Sequence, residues 1–296
     1  PDVLGTDAPE ENGADLRTQG WELSMTWRSQ FGRDWRYGIN FALSDNQSEI
    51  TKYNNPTGNF NDYYVGKKIG EIWGFETVGI FQNDEDVANA PDQSQLGSNW
   101  RAGDIQYADL DGDGIITRGS RTLDDPGDLT IIGNSSPRYS FGINPDLSYR
   151  NWTLNIFFQG LFRDYLPGSG SHNPFYPGKT FYAETWFLEE SWSEDNRDAY
   201  FPHPHVAWNN NQNYHGQSRW VQNAAYIRLK NLTLNYNLPQ ELINQIGLSR
   251  VQVYFSGMNL WEYSPIHHAL DPEHVYTTDL EYFRQRIFTV GGKVTF

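Results

Sequence analysis

The sequence predicts an all-β protein, an antiparallel transmembrane β-barrel segment with long extracellular loops. Three observations support this fold class. Apolar residues alternate with polar ones in seven segments, Trp or Tyr residues stand at the ends of these segments, and the chain itself ends on one of them. In that last segment one face is shared by Phe288, Val290, Val294 and Phe296. Such alternation is typical of strands that face lipid on one side and a wet lumen on the other.

The predicted strands follow one another as antiparallel hairpins. Two strands pair around residues 31–34 and two around Arg150 and Asn151. Pro239 at a first helical position and Gly247 just past the end predict a short helix between the next two. Each run supplies about the 9 to 11 residues that a tilted strand needs to cross hydrocarbon. The predicted strands are residues 21–27, 35–43, 139–149, 152–162, 232–238, 251–261 and 282–296.

Two positions conflict with regular strands. Pro145 has no N–H to donate to a neighbouring strand, and the apolar face changes parity between Leu229 and Leu232. An extra residue in one strand would explain either conflict. We expect a β-bulge at both positions.

The average composition is acidic and polar, with a net charge of −15 and a mean hydropathy of −0.69. These averages are no argument against a membrane, because barrel strands carry apolar residues only at every second position and their loops are polar. No stretch is long and apolar enough for a transmembrane helix. The absence of Cys removes disulfide frameworks and thiol chemistry.

The connections alternate between short and long, and the long ones cover roughly residues 45–136, 163–220 and 263–281. Outer-membrane barrels have short periplasmic turns and long outer loops. Residues 45–136 and 163–220 are therefore predicted to be two long extracellular loop regions. Seven strands that start outside must end inside, which places Phe296 in the periplasm.

Seven strands of this type cannot stand alone in a bilayer. An open sheet edge leaves unpaired backbone groups in hydrocarbon, so the sheet has to close. The sequence begins at PDVLGTD, without a start Met or a signal peptide. We expect residues 1–296 to be either the C-terminal part of a longer polypeptide or one piece of a split barrel.

Six segments carry a resemblance to a known family. In this order, the sequence contains GADLRTQGWELSMTWR, YVGKKIGEIWGFETVGIFQN, GDIQYADLDGDGIIT, TIIGNSSPRYSFGINPDLSYRNWTLNIFFQG, YIRLKNLTLNYNLP and VQVYFSGMNLW. They resemble the C-terminal region of the SusC/RagA family of TonB-dependent outer-membrane transporters of Bacteroidota. The resemblance spans nearly the whole chain.

The resemblance implies a barrel of roughly 22 strands with a plugged lumen, of which these are the last seven. It implies a location in the cell outer membrane and a SusD-like surface lipoprotein as a lid. It also implies import of oligosaccharides or peptides driven by TonB, and no nucleic-acid partner. The family's plug and TonB box lie N-terminal to everything in this sequence, so the residues that couple to TonB are not among those present.

Two alternatives stay open at this point. One is a siderophore or cobalamin receptor of the same barrel class. The segment from Gly66 to Phe81 and the DLDGDG motif favour the SusC-like branch over it. The other is a soluble, calcium-stabilised β-sandwich that binds glycans, which would need a second sheet to cover the apolar faces.

Residues 109–114 read DLDGDG, which places carboxylates at positions 1, 3 and 5 and glycine at position 6 of a calcium loop. Position 12 is Ser120 instead of Glu, so an intact EF-hand is excluded and weaker affinity is expected. A solvated acidic turn is the alternative. The predicted ligands of a structural calcium are Asp109, Asp111, Asp113, the carbonyl of Ile115, and Asp124, Asp125 or Asp104 in place of the missing Glu.

Aromatic residues outside the strands are candidates for substrate binding. Flat rings stack on the C–H groups of a sugar, while nearby amides and carboxylates bind its hydroxyls. Long loops also need apolar cores of their own, which is the alternative for any single Trp. The candidates are Trp186, Trp192, Trp208, Trp220, Tyr176 and Tyr182. No nucleophile elbow, phosphate loop or paired-carboxylate site is evident, so we expect no enzyme activity.

Overall fold

The structure is a computed structural model that describes residues 12–168, 175, 185–204, 212–275 and 284–296. In chain order its elements are β1 (Ala14–Phe31), β2 (Trp35–Tyr53), β3 (Glu71–Phe75), β4 (Thr77–Ile80), α1 (Asp84–Asn89), β5 (Ile105–Tyr107), β6 (Leu129–Asn134), β7 (Arg138–Tyr149), β8 (Trp152–Phe162), β9 (Asp164–Tyr165), α2 (Thr185–Glu189), a 3-10 turn (Ser218–Trp220), β10 (Gln222–Asn223), β11 (Tyr226–Asn237), α3 (Gln240–Ile243), a 3-10 turn (Asn244–Ile246), β12 (Arg250–Tyr263) and β13 (Ile287–Thr295).

Seven strands form one antiparallel sheet in the order β1-β2-β7-β8-β11-β12-β13, which confirms the predicted meander. β1 and β2 are longer than predicted, at 18 and 19 residues. A strand of 18 residues is about 60 Å long, whereas the hydrocarbon core of a bilayer is about 30 Å thick. The apolar alternation marks only part of the hairpin, because backbone pairing continues through residues 14–20 and 44–53, where most side chains are polar.

The two faces of the sheet differ as the sequence predicts. In β1 the apolar residues of one face are about half exposed: Trp21, Leu23, Met25 and Trp27. In β13 Val290 on the corresponding face is 76% exposed. Within the described residues no second sheet covers this face, since the other sheets are two-stranded. An apolar face of this extent is stable against lipid and unstable against water.

The two expected bulges had different outcomes. The register of β11 shifts between Leu229 and Asn231 against both of its neighbours, which confirms the first. The prediction of a bulge at Pro145 was wrong. Pro145 pairs with Ile39 without any register shift, and β7 runs past it in one register against β8. The missing N–H interrupts the ladder locally, but no extra residue is inserted.

The extra residue in β7 lies near its start instead. The register against β8 shifts between Arg138 and Phe141, where Tyr139 adopts a left-handed φ of 47°. Further along the same strand pair, Gly160 lies opposite Phe141, and a Cβ atom there would come within 2.4 Å of the Phe141 ring. Glycine at this position lets the aromatic ring lie flat across the neighbouring strand.

The short connections meet at one end of the sheet. The backbone N–H of Arg150 donates to the carbonyl of Asp34 (3.0 Å), and that of Asn237 donates to Asn151 (2.9 Å). The predicted helix is confirmed as α3, and Gly247 ends the helical segment with a left-handed φ of 69°. The long connections leave the sheet at the opposite end. Among the described residues there is no helix long and apolar enough to cross a membrane.

The orientation of β8 makes a direct prediction. Ile156 faces outward, and its neighbour Asn155 faces the lumen. Ile156→Arg should lower the free energy of unfolding by about 2–4 kcal/mol, because it places a charge in hydrocarbon. Asn155→Arg is the matched control and should cost much less. Urea unfolding in lipid vesicles measures both, and equal losses would contradict the assignment of the faces.

Candidate functional site

The described residues of the two longest connections, 54–137 and 163–225, fold together into a layer at the end of the sheet opposite the short turns. We call this the loop layer. It has a core of its own, built largely from aromatic rings of both connections. The buried members are Phe75, Leu96, Ile105, Tyr107, Ile116, Phe175, Phe187, Phe201, Tyr214 and Trp220. The burial of these side chains holds the loops in one arrangement.

A buried polar cluster joins the two halves of the loop layer. The carboxylate of Asp104, which is fully buried, accepts hydrogen bonds from the amides of Gln212 (2.7 Å) and Asn213 (2.8 Å). The hydroxyl of Tyr107 donates to the carbonyl of Gln212 at 2.7 Å. Because a buried carboxylate is costly unless it is hydrogen-bonded, these contacts select one register between the two connections.

Two of the predicted substrate-binding residues belong to this core. Trp220 is fully buried, and its indole N–H donates to the carbonyl of Asn213 at 3.0 Å. Trp192 is 5% exposed, and its indole N–H points to Gln82. Neither ring offers a free face to a ligand, so the structure corrects both assignments. Burial of these large apolar rings in the core of the loop layer is favourable because it removes their surface from water.

Trp186 is the described candidate that keeps part of its ring accessible. It packs against the imidazole rings of His267 and His268, each with its centroid 4.9 Å away. His267 Nε2 lies 2.8 Å from the carboxylate of Glu190. The ring of Trp186 thereby joins the second long connection to the last one. Three candidates lie outside the described residues, namely Tyr176, Tyr182 and Trp208.

A network of buried charges holds the last connection, which the sequence did not reveal. Arg228 on β11 is buried and pairs with Glu262, Asp271 and Glu273. Glu273 also accepts from Lys230 at 2.9 Å. The position of Arg228 on the polar face of a strand was the available signal, but its partners lie more than 30 residues away in the sequence. Such a network fixes geometry more than it adds stability, since desolvation offsets much of the attraction.

The acidic loop folds as a series of carboxylate-to-backbone hydrogen bonds. Asp109 accepts from the amides of Gly112 (2.6 Å) and Gly114 (2.9 Å). The carboxylate of Asp128, which is fully buried, accepts from Leu110 (2.6 Å) and from Thr117 (2.7 Å). Asp128 therefore closes the loop across its base.

The carboxylates that meet in this loop differ from the predicted set. One oxygen each of Asp109, Asp111 and Asp128 lie within 4.8 Å of one another. Two oxygens bound to one calcium ion are at most about 5 Å apart, so this group fits such an ion. Asp125 instead accepts bonds from the hydroxyl and the amide of Ser120, which lower its pKa. Asp128, and not Asp125, is the further carboxylate that lies beside Asp109 and Asp111.

The other predicted ligands stand apart from this group. Asp113 accepts the amide of Ile115 at 2.7 Å, and Ile115 pairs with Asp92 in a short bridge. Asp124 is exposed, and the carboxylate of Asp104 accepts hydrogen bonds in the buried polar cluster. The amide of Asp113 lowers the pKa of Asp111, but desolvation and the neighbouring carboxylates raise it by more, so that the net shift is upward. A cation would relieve this repulsion.

Calcium binding stays a prediction with a direct test. Calcium should slow proteolysis of residues 104–134, because the ion would tie three carboxylates of one loop together. The cleavage rate with calcium divided by the rate without it should be below one in the wild type and should rise to about one in Asp109→Asn and Asp128→Asn. Asp124→Asn is the control and should keep the wild-type ratio. A wild-type ratio of one would contradict the prediction.

Comparison with known proteins agrees with this architecture. No family model matches the chain. TonB-dependent receptor P3 of Formosa agariphila is 29% identical over 304 residues, which cover 94% of this chain and 27% of the receptor. TonB-dependent receptor P26 of the same organism is 24% identical over 287 residues, which cover 92% of the chain and 27% of the receptor. The chain is a relative of the TonB-dependent receptors. It spans just over a quarter of their length.

Solved structures show the same fold as this relative of the TonB-dependent receptors. A structure of the RagAB peptide transporter matches with a TM-score of 0.70 at 19% identity, over 100% of this chain and 31% of that chain. The RagAB peptide importer in the open-open state matches with a TM-score of 0.69 at 20% identity, over 100% and 30%. These matches confirm the predicted resemblance and the barrel segment. They exclude the β-sandwich fold of the second alternative, because the seven-stranded sheet has the fold of a barrel segment.

Proposed function

We propose that this chain forms part of an outer-membrane receptor that imports oligosaccharides or peptides with energy from TonB. The observation that carries the proposal is the match to TonB-dependent receptors over about nine tenths of the chain. The solved transporter of the same fold carries peptides, as its name states. In this proposal the seven strands form part of the barrel wall, and the loop layer meets the ligand outside the cell.

We further propose a SusD-like lipoprotein as partner, seated on the loop layer. Support comes from the resemblance to the SusC/RagA family and from the architecture of the layer. Its core and its buried polar cluster make it a firm platform instead of a set of independent loops. A firm surface loses little conformational entropy when a partner docks on it.

The function is testable in cells that carry the full-length receptor. Depletion of oligosaccharides or peptides from the medium should stop when the receptor or TonB is deleted. Loss of the adjacent lipoprotein should reduce uptake as well. Uptake that continues without TonB would overturn the proposal. Growth that instead depends on the receptor only when iron or cobalamin is scarce would support the siderophore or cobalamin alternative.

The orientation of the loop layer is a separate prediction. An epitope tag after Asn89, at the end of α1, should bind antibody on intact cells, because α1 belongs to the loop layer. A tag at Gln240, at the start of α3, should bind antibody only after permeabilisation. The two tags serve as controls for each other. Labelling of the Gln240 tag on intact cells would reverse the topology.

A further inference from the structure

A small cavity in the loop layer carries two arginines. Its volume is about 170 Å³, and Arg118 and Arg121 form part of its wall. The two residues belong to one turn, in which the N–H of Arg121 donates to the carbonyl of Arg118 at 3.3 Å. Arg121 adopts a left-handed φ of 58°, which is uncommon for a residue other than glycine. The turn holds both positive charges at one cavity.

His215 orients the guanidinium of Arg118. Its Nε2 lies 2.8 Å from the carbonyl of Leu96, which can only accept, so Nε2 carries the hydrogen. Nδ1 of His215 then accepts from Nη2 of Arg118 at 2.8 Å. This bond uses one of the five N–H groups of the guanidinium. No other hydrogen bond of this guanidinium occurs among the described residues, and Arg118 forms part of the cavity wall.

Neither arginine has an acidic partner in the part of the chain that the structure describes. Some other arginines among the described residues have such partners, as in the pairs Arg138 with Asp45 and Arg150 with Asp34. Burial and then the positive charge of Arg121 lower the pKa of Arg118. A bound anion would offset both effects.

The cavity is sized for one end group of a ligand. At roughly 30 Å³ for each water molecule, it has room for about six. The rest of the cavity wall is partly apolar, since it includes Trp73, Phe75 and Leu129. The ring of Trp73 is held in place by stacking on Phe60, with ring centres 4.3 Å apart and planes 9° apart. An anionic head against two guanidinium groups and an apolar body against these walls would fit such a site.

We propose that Arg118 and Arg121 bind a carboxylate at the end of the imported ligand. The inference rests on the proposed function and narrows its substrate class to acidic oligosaccharides or to peptides with a free C-terminus. A carboxylate suits the site because its two oxygens match the parallel N–H groups of a guanidinium. The uronate and the peptide terminus present the same chemistry, and binding measurements distinguish them.

The test uses the purified full-length receptor in detergent and two matched pairs of probes. One pair is a trigalacturonate and its methyl ester, and the other is a hexapeptide with a free or an amidated C-terminus. Calorimetry should show that one probe with the free carboxylate binds at least about tenfold more tightly than its partner without that carboxylate. Arg118→Gln and Arg121→Gln should each remove most of this difference. Arg118→Lys should retain part of it, because it keeps the charge but loses the planar donors.

A control variant separates the site from the overall charge. Arg33→Gln removes an exposed positive charge in a short turn at the opposite end of the sheet and should leave the preference unchanged. Heat-modifiable gel mobility confirms that each barrel is folded. The preferred pair identifies the source of the carboxylate.

Several outcomes would overturn the inference. These are binding of none of the probes, equal binding within both pairs, or a preference that survives in Arg118→Gln and Arg121→Gln. TonB-dependent uptake of neutral oligosaccharides would then still support the proposed function, because import does not require an acidic ligand. Uptake independent of TonB would overturn the proposed function itself, whatever the two arginines bind.

Discussion

The structure depends on one constraint, which is that a backbone in hydrocarbon must find all of its hydrogen bonds within the protein. In the seven-stranded sheet, antiparallel partners flank β2, β7, β8, β11 and β12 on both sides. Within the described residues, β1 and β13 are paired on one side only. Their outer edges cannot face lipid, so in a membrane both must pair with further strands. The alternation of residues, the exposed apolar face and the short turns all follow from this requirement.

Above the bilayer the constraint changes, and so does the construction. The loops can bond to water, so pairing no longer forces one structure on them. Their order comes instead from a core of aromatic rings and from buried polar groups such as Asp104. The charges around Arg228 bind the last connection to the sheet in a similar way. Buried charge is costly when mispaired, which favours a single arrangement of the loops over many alternatives.

The difference between the hydrogen-bonded strands and the separately packed loop layer has a consequence for function. A barrel wall made of paired strands changes little when the ligand changes, whereas loops packed on their own core can vary without loss of the wall. The cavity beside Arg118 lies in the loop layer, close to the core residue Phe75. Its shape is therefore set by packing within the loop layer and not by the strands of the seven-stranded sheet. Under the proposed function, ligand recognition and membrane crossing would be encoded in different parts of the chain.

The sequence by itself determined the seven strands of the main sheet, their pairing order and the face that each presents. The alternation of apolar and polar residues can be read from neighbouring positions in the sequence. In a membrane barrel it means that alternate side chains face lipid and lumen. It also located the register shift near Leu229, because a bulge inverts the pattern. It was misleading at Pro145, since a lost donor does not require an extra residue.

Only the tertiary structure decided the loop layer. Burial there follows no period, so Trp220 in the core and Trp186 at its margin look alike in the sequence. The partners of Arg118 and Asp104 lie about a hundred residues away along the chain. Asp128 joins the acidic loop from outside the motif that the sequence displays. Such contacts depend on how distant segments pack together, and no local pattern records that packing.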